Sequence, residues 1–229
     1  RANEAENPDS RPAPFSLHSQ RPLFSSFQTS VRGSFQNLAR SVRKLPADVK
    51  PEAEEVLQMK NDILQKMKSI YRKKFDVVKT RIHGDYHLGQ TLFTGKDFVI
   101  LDFEGEPAKP YSERRLKRSP LRDVAGMIRS FHYAAYASLF LDNQIPPADI
   151  EKHVPFVELW YHYMSLIFFR AYLDTVKGSA FVPADGEDLN TMIQCYLLEK
   201  AIYELNYELN NRPDWVVIPL RSIKAILKS

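Results

Sequence analysis

The chain holds a single cysteine, Cys195, so no internal disulfide framework can form, and a reducing, cytoplasmic setting is expected. Glycine is scarce: there are eight in 229 residues, and no Gly-x-Gly occurs anywhere. That excludes a glycine-rich loop of the kind whose backbone N–H groups wrap nucleotide phosphates. No run of eighteen apolar residues occurs, so a membrane-spanning helix is not expected, and no signal-peptide pattern opens the sequence. The first residue is Arg1 rather than methionine, which reads as a segment cut from a longer chain.

What is present is ordinary for one or two globular domains: 44% hydrophobic and 26% charged residues. The net charge of +4 comes from the first 81 residues, where 16 basic residues face 9 acidic ones; the remainder carries 16 and 19. These lysines and arginines are spread along helical stretches and do not form a patch interleaved with aromatics. Nucleic acid is therefore not an expected partner.

Two short segments carry chemistry. In Arg81-Ile-His-Gly-Asp-Tyr-His-Leu-Gly-Gln90, Asp85 stands five positions before Gln90, the interval that separates base and metal ligand in a protein-kinase catalytic loop. Asp102-Phe-Glu-Gly105 follows where a metal-binding Asp-Phe-Gly is expected. Phosphoryl transfer needs an acceptor hydroxyl relieved of its proton, and Mg²⁺ bridging the ATP phosphates on hard oxygen donors. Asp85 is the candidate base, Gln90 and Asp102 are the candidate Mg²⁺ ligands, and His83 is the candidate brace of the loop. Apolar runs at Thr91–Thr94 and Asp97–Asp102 flank Gly95-Lys96 and predict a β-hairpin. It sets Gln90 opposite residue 101 or 102, at the roughly 5 Å of facing strand residues.

Other readings stay open on the residues alone. His-Gly-Asp is also turn chemistry, and an Asp at a strand end is also a loop cap. His83, Asp85 and His87 have the donor types of a zinc or iron site, although the remaining histidines (18, 132, 153, 162) are scattered.

Over His83–Ala134 the motifs His-Gly-Asp-x-His-Leu-Gly-Gln, Asp-Phe-Glu-Gly-Glu-Pro, Glu113-Arg-Arg115 and Ser119-Pro-Leu-Arg-Asp-Val-Ala-Gly-Met-Ile-Arg-Ser-Phe131 resemble bacterial maltokinase. That family is aminoglycoside-phosphotransferase-like and is often fused behind a trehalose synthase. The tail Leu198–Leu220, with Tyr-Glu-x-x-Tyr-Glu and Arg212-Pro-Asp-Trp215, resembles the end of the same family. The resemblance implies a mainly α fold with a small β-hairpin (α+β), the C-terminal lobe of a protein-kinase-like or aminoglycoside-phosphotransferase-like protein. It implies ATP and maltose as substrates, maltose 1-phosphate as product, and a trehalose synthase domain or subunit as partner. It also implies that Asp123 supports the catalytic loop, and that Tyr203, Tyr207 and Arg212 line the acceptor pocket. No strand-borne Val-Ala-Ile-Lys lysine precedes the catalytic loop, so the donor lobe is expected to be missing and the fragment inactive by itself. A kinase of another sugar, amino sugar or amino alcohol, and a non-catalytic module docking on trehalose synthase, are the alternatives.

Along the chain, residues 1–22 are polar and proline-rich and read as a mobile linker, with a helical lobe over 23–229 and its catalytic loop and hairpin at 81–107. A first helix is expected over Phe27–Arg43, and an amphipathic one over Asp48–Phe75 with Val56, Met59, Ile63, Met67 and Ile70 on one face. Ser119-Pro120 signals the start of a third helix, running to about Leu141. Two more are expected over Ile150–Lys177 and Glu187–Asn210. Asp123 falls in the first turn of the third, where a carboxylate also complements the helix dipole. Glu104 and Glu106 are candidate sugar or metal-site acids, with solvated loop acids as the alternative. Tyr203 and Tyr207, one turn apart, offer an aromatic platform for a sugar ring or else core packing.

Overall fold

The computed structural model describes residues 11–107, 109–140 and 145–228. In chain order the elements are β1 (Ala13–Pro14), α1 (Leu17–Ser41), α2 (Lys50–Gln58), α3 (Lys60–Arg72), β2 (Val78–Lys79), β3 (Thr91–Phe93), β4 (Phe98–Ile100), α4 (Tyr111–Arg114), α5 (Leu121–Phe140), α6 (Ile150–Thr175), α7 (Gly186–Asn211) and α8 (Val217–Lys228). The described residues are thus mainly helical with short strand pairs. They fall into two compact units, one of residues 11–14 with the described residues of 77–182, the other of residues 15–76 with 183–228.

The second unit is a helical core of α1, α2, α3, α7 and α8. Phe24, Phe27, Val31, Phe35 and Leu38 recur at helical spacing along α1 and are all buried. Ile63, Met67 and Ile70 of α3, Leu198, Ile202 and Leu205 of α7, and Ile218 and Ile223 of α8 complete the interior. Each such side chain contributes about 1.5–3 kcal/mol by leaving water. Cys195 lies in this core; burial pushes its thiol up to about 11, which makes it an inert packing group.

Two boundaries differ from expectation. The segment read as linker holds the start of α1: Ser16 caps it, its Oγ accepting from Ser19 N–H at 3.4 Å, and the helix runs through Pro22. Burial of Gln20, Phe24 and Phe27 outweighs the N–H that Pro22 lacks. Residues 1–10 of the expected linker lie outside the described residues. The helix expected over Asp48–Phe75 is two helices, broken at Met59, whose φ of −82° and ψ of 6° leave the helical region. Val56 and Ile63 stay buried across the break, so the apolar period continues and hides it.

In the first unit β3 and β4 pair antiparallel with Thr91 opposite Ile100, the expected hairpin. β1 pairs with β2, and Thr80 bridges Arg118, which leads the chain into α5. Helices α5 and α6 meet around a polar contact. His132 Nε2 lies 2.9 Å from Glu158 Oε1, and Tyr136 donates its hydroxyl to the same oxygen at 2.7 Å. Burial holds the His132 imidazole down at about 4. Partial burial pushes Glu158 up, but the bonds from His132 and Tyr136 win and hold it near about 2.

A histidine depressed from 6.5 to about 4 binds its proton more readily in the unfolded chain. Stability is therefore whole above pH 6.5 and is lost as pH falls toward 4, by up to about 3 kcal/mol. Urea midpoints measured from pH 7.5 to 4.5 should decline in the wild type and decline less in His132→Gln.

Candidate active site

The loop from His83 to Gln90 is held by one helical face. On α5, Asp123 Oδ2 accepts from His83 N–H at 2.7 Å and Oδ1 from Gly84 N–H at 3.0 Å. Seven positions on, Ser130 Oγ accepts from Leu88 N–H at 2.8 Å. Between them, a Cβ on Gly126 would lie 2.7 Å from the Tyr86 carbonyl oxygen, so only glycine lets the loop seat against the helix. Spacings of three and four put all three residues on one side of α5. Asp123 has two opposed influences: burial raises its pKa, and the bonds from Gly84 and His83 pull it back. Tyr172 of α6 is pushed up to about 12 by burial and by the Asp123 charge.

His83 ties this loop to the hairpin. Its Nδ1 accepts from Asp85 N–H at 3.3 Å, which leaves Nε2 to donate to the Leu101 carbonyl at 2.7 Å. Both ring nitrogens are thereby committed, and Phe103 packs against the ring at 5.0 Å between centroids. An imidazole used in this way is a brace and not a metal ligand, which removes the zinc or iron reading.

On the other side of the brace, Leu101 N–H donates to the Gln90 carbonyl at 2.9 Å and continues the ladder one step past β3 and β4. Gln90 Nε2 then donates to Asp102 Oδ2 at 2.9 Å. Asp102 is the one described non-glycine residue with positive φ, at 60°. Such a backbone costs of order 1 kcal/mol and persists only where the surroundings impose it; here it turns the carboxylate toward Gln90. That bond uses neither the Gln90 amide oxygen nor Asp102 Oδ1, two hard donors on side chains in contact. Two such donors, leaving positions for phosphate oxygens and water, fit Mg²⁺.

The remaining candidates lie as follows. Glu104 is well exposed, 3.7 Å from Arg114, and Glu106 lies 3.5 Å from Lys109. A cavity of about 320 Å³ lies behind the loop, bounded by His83, Phe103, Asp123, Phe168 and Tyr172. Asp85, Gln90 and Asp102 do not line it; Asp102 is exposed, and Asp85 and Gln90 are half-buried. Tyr203, Tyr207 and Arg212 belong to the second unit, and the cluster just described is built without them. The two tyrosines stack at 6.5 Å and are exposed, which rules out the core-packing reading. Arg212 chelates Glu208 at 2.9 and 2.7 Å and covers the Trp215 ring at 4.7 Å.

No family model matches the chain. Two curated relatives, both named glucosamine kinase, do. The protein from Streptacidiphilus jiangxiensis is 24% identical over 148 residues, covering 64% of this chain and 31% of its own length. The one from Mycolicibacterium smegmatis is 28% identical over 152 residues, covering 63% and 34%. A solved glucosamine kinase in complex with glucosamine, ADP and inorganic phosphate superposes with a TM-score of 0.70 at 20% identity, over 95% of this chain and 49% of that one. A second crystal structure, also glucosamine kinase, gives 0.71 over 95% and 48%. The fold is shared with solved glucosamine kinases. The chain spans about a third of the length of the curated relatives it matches and about half that of the solved ones. These comparisons lend no support to maltose as acceptor or to a trehalose synthase fusion.

Gly126 and Ser130 were missed from sequence. Their signal is the Asp-x-x-Gly-x-x-x-Ser spacing, which puts them on the Asp123 side of the helix. Replacing Asp123 with Ala leaves the buried His83 N–H without an acceptor, a loss of about 1–3 kcal/mol. Amide exchange should accelerate across residues 83–88 and stay unchanged in α7; equal protection in the variant would remove Asp123 from the role of clamp.

Proposed function

We propose that this chain carries the catalytic loop and metal-ligand hairpin of an ATP-dependent sugar kinase whose acceptor is an amino sugar of the glucosamine type. The observation that carries the reading is the contact of Gln90 with Asp102, held by His83 in one frame with Asp85. The names of the relatives support an amino sugar over the maltose that the tail motif implies.

In this reading Asp85 accepts the proton of the attacking hydroxyl as its oxygen bonds to the γ-phosphorus of ATP and the bond from that phosphorus to the bridging oxygen breaks, releasing ADP. Its backbone is fixed by His83, which confines the carboxylate to one edge of the loop before substrate arrives and limits the reorganisation needed at the moment of reaction. Gln90 and Asp102 hold Mg²⁺, which when bound neutralises the charge of the transferring phosphoryl group. The strained Asp102 backbone keeps that carboxylate on the Gln90 side and away from the role of base. Asp123 acts at one remove, by fixing the loop. Glu104 offers the carboxylate that an ammonium-bearing sugar calls for. Within the second unit, the exposed stacked pair Tyr203 and Tyr207, with Arg212 beside it, is an aromatic face of the kind a sugar ring packs on, and it is proposed here from the tail resemblance alone.

Sugar-dependent ADP release by the full-length protein, assayed with ATP and Mg²⁺ against glucosamine, glucose, maltose and an aminoglycoside, tests the proposal. Glucosamine should give the highest kcat/KM; the absence of sugar-dependent turnover across the panel would contradict a sugar kinase. Asp85→Asn should lower kcat by about 10²–10⁴, the usual contribution of a positioned base.

A further inference from the structure

His87 has no part in the mechanism above, yet its ring is tied into the loop. Nδ1 accepts from Gly89 N–H at 3.0 Å and caps the 3₁₀ turn Leu88–Gln90. With Nδ1 an acceptor, the ring proton sits on Nε2. That Nε2 lies 3.8 Å from Asp85 Oδ2, at the half-buried edge of the loop. A Cβ on Gly89 would lie 2.9 Å from the ring Cε1 and 3.0 Å from its Nδ1. The imidazole therefore fills space that only glycine leaves, and Gly89 serves both as hydrogen-bond donor and as the floor under the ring.

We propose that His87 is a positioning residue for Asp85: its Nε2–H holds Oδ2, so that Oδ1 is the oxygen presented to the acceptor hydroxyl. The proposal rests on the reading of Asp85 as the base. His83 and His87 then divide the work on one residue. The first fixes the Asp85 main chain through its N–H, and the second fixes the carboxylate rotamer. An imidazole suits this place because one rigid ring carries an acceptor for the turn and a donor for the base on opposite edges. A separation of 3.8 Å is long for a hydrogen bond, and catalytic contacts of this kind shorten once substrate is bound.

The rival role, a turn cap and nothing more, predicts a different mutant. His87→Asn keeps an acceptor oxygen where Nδ1 stands, so Gly89 N–H stays satisfied, but it removes the donor to Asp85. In the full-length protein His87→Asn should fold with an unchanged melting temperature and lower kcat by about 10–100-fold, the scale of an ångström-level misplacement. KM for ATP and sugar should stay within about twofold. Gly89→Ala, which displaces the ring without removing it, should show the same signature. In an Asp85→Asn background His87→Asn should cause no further loss, because the group it orients is gone. A wild-type kcat in His87→Asn alongside a crippled Asp85→Asn would overturn the positioning role and leave the base standing. So would a loss that multiplies fully with that of Asp85→Asn. Normal turnover by Asp85→Asn itself would instead end the base assignment, and this proposal with it.

Discussion

The hydrogen bond from His83 Nε2 to the Leu101 carbonyl is the contact on which the site depends. Without it the start of the loop is tied to the hairpin only through Gln90 at the far end. With it, the ring that takes the Asp85 N–H on one edge holds the residue before Asp102 on the other. A buried, doubly bonded imidazole is rigid, and its tautomer is dictated by its partners. The placing of Asp85 relative to the Gln90–Asp102 pair is thereby set by one ring.

The rest of the first unit reinforces that ring. Asp123, Gly126 and Ser130 grip the loop from below, so the helix geometry of α5 is transmitted to His83, Gly84, Tyr86 and Leu88. The hairpin ladder transmits the other half, from Thr91 and Ile100 to Gln90 and Leu101. Asp102 absorbs the strain where these two frames meet, in the only left-handed non-glycine conformation among the described residues. Strain placed there is consistent with a carboxylate held ready for a ligand.

Much of this was legible in the sequence, and the limits are physical. The hairpin followed from the short apolar runs around Gly95-Lys96, but its register stayed open between residues 101 and 102 opposite Gln90, since a slip of one residue reverses every side chain; the structure sets it at Leu101. The first-turn position of Asp123 predicted only a helix-dipole role; its bonds to the loop were implied by the resemblance alone. Gly126 and Ser130 were not legible, since small residues in a helix look alike until something packs against them. The start of α1 was hidden by Pro22 and by polar neighbours whose burial is a tertiary effect. The break at Met59 was hidden because the apolar period runs through it. Acceptor identity was the least legible feature. The catalytic motifs answer only to phosphate and metal, and the residues that select a sugar do not share their spacing.

A crystal structure of the full-length protein with ADP and Mn²⁺, with the cation located by its anomalous scattering, tests the central claim most directly. The account predicts a cation bonded to the Gln90 side-chain oxygen and an Asp102 carboxylate oxygen, with Asp85 uncoordinated. A cation bound to Asp85, or one distant from both Gln90 and Asp102, would contradict it.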